Sequence, residues 1–271
     1  MTRASSATAD AFRALHAAGL LVLPNAWDAG SARLVESLGA KAVATSSAAV
    51  AWAHGYPDGD CLPLSCLIAT TASIARVLRV PLSVDIEGGN SDDPAVVGEL
   101  AAQVIDAGAV GVNIEDGGRD PAALCAKVEA VRGAAARAGV ALFINARTDV
   151  YLRGLAAAGA RVEATLARAA RYRDAGADGI FVPGVVAADE IVGLVAGLRL
   201  PLNVMARPQL PPAAQLAALG VRRLSAGAAM AEVLYGKVAR LASAFLRDGV
   251  SAAVLEGAMD YGEINRLMLK D

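Results

Sequence analysis

Eight short apolar runs, each followed by a helix-like stretch, constrain this chain more than any other feature. The runs are 20–25, 42–47, a third ending at Asp85, 110–115, 140–147, 179–183, 201–205 and 223–227. They are near-continuously apolar rather than alternating, which is the pattern of parallel strands covered on both faces. The stretches between them, 28–38, 63–78, 94–107, 121–137, 160–174, 187–197 and 212–218, carry helical periodicity and several stop at glycine, as at Gly39, Gly108, Gly139 and Gly220. A further helix is expected over 4–18, a long loop over 52–60, and two more helical stretches at about 228–247 and 250–268.

Eight such units within 271 residues, with no shift in composition and no linker, predict one α/β domain, a (β/α)8 TIM-type barrel with extra C-terminal helices. An open doubly wound sheet is the alternative. It calls for a Gly-rich turn after the first strand, and Pro24-Asn25-Ala26-Trp27-Asp28 is not one. Hydrophobic residues are 55% of the chain and aromatic ones 4%, so the core is built from Ala, Val and Leu.

Composition also removes some functions. A net charge of -2 without a basic cluster argues against nucleic acid as a partner. Charged residues or glycine interrupt each apolar run before the ~18 residues of a membrane span. Asp10, Arg13 and His16 leave no apolar signal core near the N-terminus. Cys61, Cys66 and Cys125 show no metal-ligand spacing. Cys61 and Cys66 could pair, but together these features predict a cytoplasmic protein with free thiols.

In a barrel of this kind chemistry sits at the C-terminal ends of the strands. The exits read Asn25 and Asp28; Thr45, Ser46 and Ser47; Asp85 and Glu87; Glu115 and Asp116; Arg147 and Asp149; Asn203; Ser225. Asp85 and Glu87, two residues apart, point to one side of an extended chain, and Gly88-Gly89 follows. With Glu115 they supply hard oxygen ligands suited to Mg²⁺, with Mn²⁺ as a substitute. Arg147 can form a two-pronged bond to a carboxylate or phosphonate. Ser46 and Ser47, beside Thr45, can cradle a second anionic end, and Asn203 adds a neutral donor. Each acidic pair before glycine is, taken alone, also a turn former, and Arg147 could simply pair with Asp149.

The motifs in register resemble the isocitrate lyase / phosphoenolpyruvate mutase superfamily. They are Pro24-Asn25-Ala26-Trp27-Asp28-Ala29-Gly30-Ser31-Ala32-Arg33, Thr45-Ser46-Ser47, Gly55-Tyr56-Pro57-Asp58, Val84-Asp85-Ile86-Glu87-Gly88-Gly89, Asn113-Ile114-Glu115-Asp116, Asn145-Ala146-Arg147-Thr148-Asp149 and Gly176-Ala177-Asp178-Gly179-Ile180-Phe181. The resemblance implies a Mg²⁺-dependent barrel whose last helix is exchanged between subunits of a homo-oligomer, a dimer or tetramer. It implies that bonds beside a 2-oxo acid are made or broken through an enolate. Asp85 would be the direct metal ligand, with Glu87 and Glu115 partly acting through waters. Thr45, Ser46, Ser47, Arg147 and, as a weaker match, Asn203 would hold substrate, with Asp58 and Arg147 at the reacting end.

The sequence also departs from that pattern. Gly117-Gly118-Arg119-Asp120-Pro121 stands where the lyases carry a loop with a catalytic cysteine and histidine and the mutases a lysine and asparagine. Glu87 replaces an aspartate, and Gly88-Gly89-Asn90 replaces a Gly-Tyr-Gly. Decarboxylation of an oxaloacetate-like acid, which needs a metal, an anion clamp and little general acid, is the reading most compatible with the short loop. P–C chemistry on phosphonopyruvate or phosphoenolpyruvate, and non-catalytic binding of a 2-oxo acid, are the alternatives. His54 could serve as acid or base or be a simple loop residue. Cys125 shares a helix with the apolar face of Leu124, Val128 and Val131 and reads as packing. The stretch 52–62 is the candidate lid, Trp27 and Trp52 either shape the pocket or pack, and Ala252, Val254, Leu255 and Met259 are candidate subunit contacts. Lys270 carries no signal.

Overall fold

A computed structural model describes residues 4–269; Lys270 lies outside the described residues. Nine strand segments appear in chain order: β1 Leu21–Leu23, β2 Asn25–Ala26, β3 Val43–Thr45, β4 Leu82–Asp85, β5 Gly111–Glu115, β6 Phe143–Arg147, β7 Gly179–Phe181, β8 Leu202–Met205 and β9 Arg223–Ser225. All pairs are parallel, in the order β1-β9-β8-β7-β6-β5-β4-β3-β2. The two ends of that order, β1 and β2, are halves of one apolar run divided at Pro24. Proline has no N–H to give to a ladder, and the run changes partner there: Leu21–Leu23 pairs with β9, Asn25–Ala26 with β3. The sheet thereby closes on itself as a (β/α)8 barrel, and the open-sheet alternative is overturned.

The N-terminal helix Ser6–Ala14 seals one end of the barrel. Phe12 is fully buried and meets Phe143 edge-on at 5.6 Å, and His16 stacks on Phe143 at 4.0 Å. Gly111 makes room for this plug, since a Cβ there would fall 2.5 Å from the Phe12 ring. Higher up, the interior is polar. The Asn145 amide donates to Asn113 Oδ1 at 2.9 Å and to Asn203 Oδ1 at 3.0 Å. The Asn203 amide donates to the carbonyl of Val204 at 2.7 Å and to Ser225 Oγ at 3.2 Å. Buried Arg223 donates to Asn113 Oδ1 at 3.3 Å. This cross-braced layer is the floor of the C-terminal mouth.

Several expected boundaries move. The first helix ends at Ala14, well short of residue 18, and the fifth run turns before it becomes a strand, with β6 starting at Phe143. Ser47–Ala53 is helical, where a strand end and the start of a loop were expected; Ser46 caps it by accepting the Ala49 N–H at 3.4 Å. The 250–268 stretch is two helices, Ser251–Leu255 and Tyr261–Met268, separated at Gly257, whose φ is +70°. The last helix rests on its own chain, where Arg33 Nε donates to the Leu267 carbonyl at 3.0 Å. Among the described residues, no helix is long and apolar enough to cross a membrane.

Candidate active site

A cavity of about 460 Å³ opens at the C-terminal ends of the strands. Ser46, Ser47, Asp58, Asp85 and Arg147 line it, together with Asn25, Asn113, Trp52, Phe181, Met205 and Arg207. Five of the residues expected at the site therefore face one space. Glu87 and Glu115 do not line it but lie near enough to feel the Asp85 charge. Thr45 and Asn203 are spent on architecture: the Thr45 hydroxyl accepts the Asp85 N–H at 2.9 Å, and Asn203 sits in the barrel floor at 1% exposure. Asn25 ties the mouth together, donating to the Thr45 carbonyl and accepting the N–H groups of Ala226 and Gly227, each of these two at 2.9 Å.

Asp85 ends β4 with its carboxylate held by local donors. Ser47 Oγ donates to Oδ2 at 3.2 Å and the Glu87 N–H to Oδ1 at 3.2 Å. Burial pushes its pKa up, opposed by the Arg147 charge. Burial likewise raises Glu115 to about 8 and Glu87 to about 7, and neighbouring carboxylates add to both shifts. Three acids whose ionisation is resisted by burial and by one another present a deficit of positive charge. A divalent cation coordinated by oxygen would relieve it, and the donor set fits Mg²⁺, which accepts one or two carboxylates and retains waters. Among the described residues no three Asp, Glu, His or Cys side chains converge to hold an ion between them directly. Asp85, Glu87 and Glu115 are the residues that could hold such an ion.

Arg147 ends β6 and is braced on two sides. Its Nε donates to Asp149 Oδ1 at 2.7 Å and its NH2 to Oδ2 at 3.2 Å, while NH1 lies 2.5 Å from Glu115. Asp149 is wholly buried and also pairs with Arg153 at 2.9 Å. A guanidinium has five N–H donors. Three are used here, so one on each terminal nitrogen remains for a ligand. The pairing with Asp149 and the availability to substrate are thus compatible. Asp116, next to Glu115, is structural: Tyr172 and Arg168 both donate to its Oδ2 at 2.7 Å.

The rim is held by a clasp between two loops. The Asp60 N–H donates to Glu87 Oε2 at 2.5 Å, the Asn90 N–H to Asp60 Oδ1 at 3.0 Å, and the Asn90 amide to the Leu62 carbonyl at 3.1 Å. Asp60, Glu87 and Asn90 have φ of +56°, +51° and +55°, and among the described residues no other non-glycine residue has positive φ. Such strain gathers where surrounding structure fixes a functional geometry. Beneath the clasp the buried Lys127 donates from Nζ to the Gly88 carbonyl at 2.7 Å. The expected lid, 52–62, is thus an anchored wall over much of its length, and Trp52 meets Tyr235 edge-on at 6.3 Å. His54 is occupied by Thr70, 2.8 Å from its Nε2. Trp27 packs against the core.

Arg207, Lys127 and Arg223 were not among the expected site residues. For Arg207 there was a signal: it is the second residue past β8, in Ala206-Arg207-Pro208-Gln209, at a strand exit followed by a turn-forming proline.

A closed parallel barrel with acids, hydroxyls and an arginine at its C-terminal mouth defines an enzyme-type α/β barrel. The phosphoenolpyruvate phosphomutase model matches residues 12–246, and the chain belongs to that family, within the isocitrate lyase / phosphoenolpyruvate mutase superfamily. An uncharacterized Mycobacterium tuberculosis protein is 40% identical over 222 residues, covering 80% of this chain and 81% of its own. Oxaloacetate decarboxylase of Pseudomonas aeruginosa is 30% identical over 226 residues, covering 79% and 74%. A crystal structure from Burkholderia cenocepacia J2315, provisionally named a phosphonomutase, is 43% identical with a TM-score of 0.83, covering 87% of this chain and 99% of that one. Superfamily lyase or mutase activity is supported on these grounds.

Proposed function

We propose that the protein is a carbon–carbon lyase acting on a small 2-oxo acid, with decarboxylation of an oxaloacetate-like acid as its leading reaction. One observation carries this: Ser46, Ser47, Asp85 and Arg147 face a single cavity, with Glu87 and Glu115 near enough to feel the Asp85 charge. The 30% identity to an oxaloacetate decarboxylase supports it.

The 2-oxo acid end lies between the Ser46–Ser47 turn and the two free N–H groups of Arg147. Ser47 and Thr45 fix Asp85, and the Asn113–Asn145–Asn203 floor keeps the strand ends in register. Mg²⁺ or Mn²⁺ held by Asp85, with Glu87 and Glu115 through waters, would supply positive charge to the developing enolate. Arg147 holds the substrate carboxylate while the C–C bond electrons move toward the carbonyl. Asp58, exposed at the rim, orients the leaving group or a water that returns a proton.

The test is incubation of the protein with 2-oxo acids and phosphonopyruvate, with and without Mg²⁺, followed by ¹H and ³¹P NMR. Metal-dependent loss of a 2-oxo acid to pyruvate or a shorter acid is expected. A shifting phosphorus signal instead would establish P–C chemistry, the reading favoured by the 43% identical structure. No turnover in any sample, with the same acids still binding, would leave a binding protein.

A further inference from the structure

The mouth cavity has a second cation that the mechanism above does not use. Arg207 lines it, is exposed, and among the described residues no hydrogen bond or ion pair engages its side chain. Arg147, the other arginine of the lining, is already flanked by the carboxylates of Glu115 and Asp149. The remaining charge-bearing residue types of the lining are Asp58, Asp85 and Glu232, all acidic. A second negative charge on a ligand therefore has one favourable place to go.

The backbone presents Arg207 in a fixed position. Ala206 is held by its N–H on the Ser225 carbonyl at 2.8 Å, and the Leu210 N–H returns to the Arg207 carbonyl at 3.1 Å. Arg207 thus opens a turn whose second residue is Pro208, where proline is preorganised. Pro211 and Pro212 stiffen the exit. An arginine on a rigid turn loses less freedom on binding than one on a mobile loop. At the ends of β7 and β8, between Arg147 on β6 and the Arg207 turn, the lining is apolar, formed by Phe181 and Met205, which suits a short hydrocarbon link rather than a charged one.

Resting on the proposed 2-oxo acid site, we infer that Arg207 is a specificity-determining residue: it pairs with the distal carboxylate of a dicarboxylic 2-oxo acid and selects it over monocarboxylic analogues. Arg207 acts in binding and not on the reacting bond. A leaving carboxylate must shed its charge, so an ion pair to it stabilises the bound substrate and not the transition state.

The test is isothermal titration calorimetry of the Mg²⁺-loaded protein with three probes: oxalate, 2-oxoglutarate, and the 5-methyl ester of 2-oxoglutarate. Oxalate reports the 2-oxo acid end alone, and the ester removes only the distal charge. We expect 2-oxoglutarate to bind about tenfold tighter than its ester, a difference of about 1.4 kcal/mol. R207Q is expected to abolish that preference while oxalate affinity stays unchanged, and R207K to retain part of it. Equal binding of acid and ester by the unaltered protein, or a preference that survives R207Q, overturns the inference while leaving the site reading intact. Failure of oxalate itself to bind overturns the site reading and the inference together.

Discussion

Arg147 is expected to be as much a part of the fold as of the site, and its replacement tests both. Replacing Arg147 by Ala removes the guanidinium between Glu115 and Asp149. Glu115 has an escape, because burial already holds its pKa at about 8, and without Arg147 it stays protonated over a still wider range. Asp149 does not escape so easily: it is wholly buried and, among the described residues, keeps only Arg153 as a cationic partner, whose side chain is 55% exposed. Breaking a buried pair typically costs about 3–5 kcal/mol. The partial escape of Glu115 places this case near the lower end, at about 3 kcal/mol. For a chain of this size that lowers Tm by roughly 6–12 °C, within the ordinary margin of about 5–15 kcal/mol. The variant should fold, be less stable, and lose turnover. The deficit should also depend on pH. A carboxylate whose folded pKa lies above its unfolded value stabilises the fold at low pH and loses that contribution as pH rises through the folded pKa. Removal of Arg147 enlarges this effect for Glu115, so the deficit should grow between pH 6 and pH 9. Urea unfolding followed by circular dichroism at the two pH values measures it. A deficit under about 1 kcal/mol, or one that shrinks with pH, would refute the reasoning from burial and charge.

The same carboxylates predict a linkage between protons and metal in the unaltered protein. With Glu87 at about 7 and Glu115 at about 8, both above the ordinary carboxylate value, metal-free stability should fall as pH rises from 6 to 9. Mg²⁺ should restore it, with a larger Tm increment at pH 9 than at pH 6 because fewer protons must be displaced. Differential scanning calorimetry decides this, and an increment independent of pH argues against these acids as the metal's support. The helix Ala229–Asp248 predicts assembly: of its residues only Ala231 is buried, while Val233, Leu234, Tyr235, Val238, Phe245 and Leu246 are exposed. Val22, in the middle of β1, is 51% exposed on the outer face of the barrel. A homo-oligomer that covers these surfaces is expected in light scattering, and Leu234→Glu with Val238→Glu should reduce its mass. A monomeric unaltered protein would count against it.

The order of elements was legible because strand and helix periods differ, and Gly39, Gly108, Gly139 and Gly220 mark where one gives way to the other. The division of the first strand at Pro24 was legible only in part: the missing N–H was visible, but its consequence depends on which strand lies alongside, and that is set by barrel closure. The helix Ser47–Ala53 was hidden because Ser46 follows a strand directly, so hydroxyls that cap a helix read as the end of a strand. Its cue was the run Ala48-Ala49-Val50-Ala51 after two serines, a strong helix former behind a good cap.

The site shows the same limit more sharply. Asp85 and Glu87, or Arg147 and Asp149, stand two residues apart, but β4 ends at Asp85 and β6 at Arg147, and Glu87 has φ of +51°, so the expected single side of an extended chain gives way to the turn that follows each strand. Asn203 and Thr45 were recognisable as polar residues at strand exits, yet chain position alone does not say whether such a side chain points to the mouth or into the floor. A shift of one residue along a strand reverses the face, and a shift of two changes the level in the barrel. Asn203 pairs with Arg223 in register, one layer below Met205, which is paired with Ser225 and lines the mouth. That single step separates a bracing amide from a ligand-binding one. Arg207 is hidden in the sequence for the opposite reason. It lies beyond the strand end, where periodicity gives no orientation, and only the turn closed by Leu210 and the neighbouring β9 carbonyl hold it at the cavity. Groups that brace the barrel are thus distinguished from groups that meet substrate by height along the barrel axis, a coordinate that emerges only when the eight strands are staggered together.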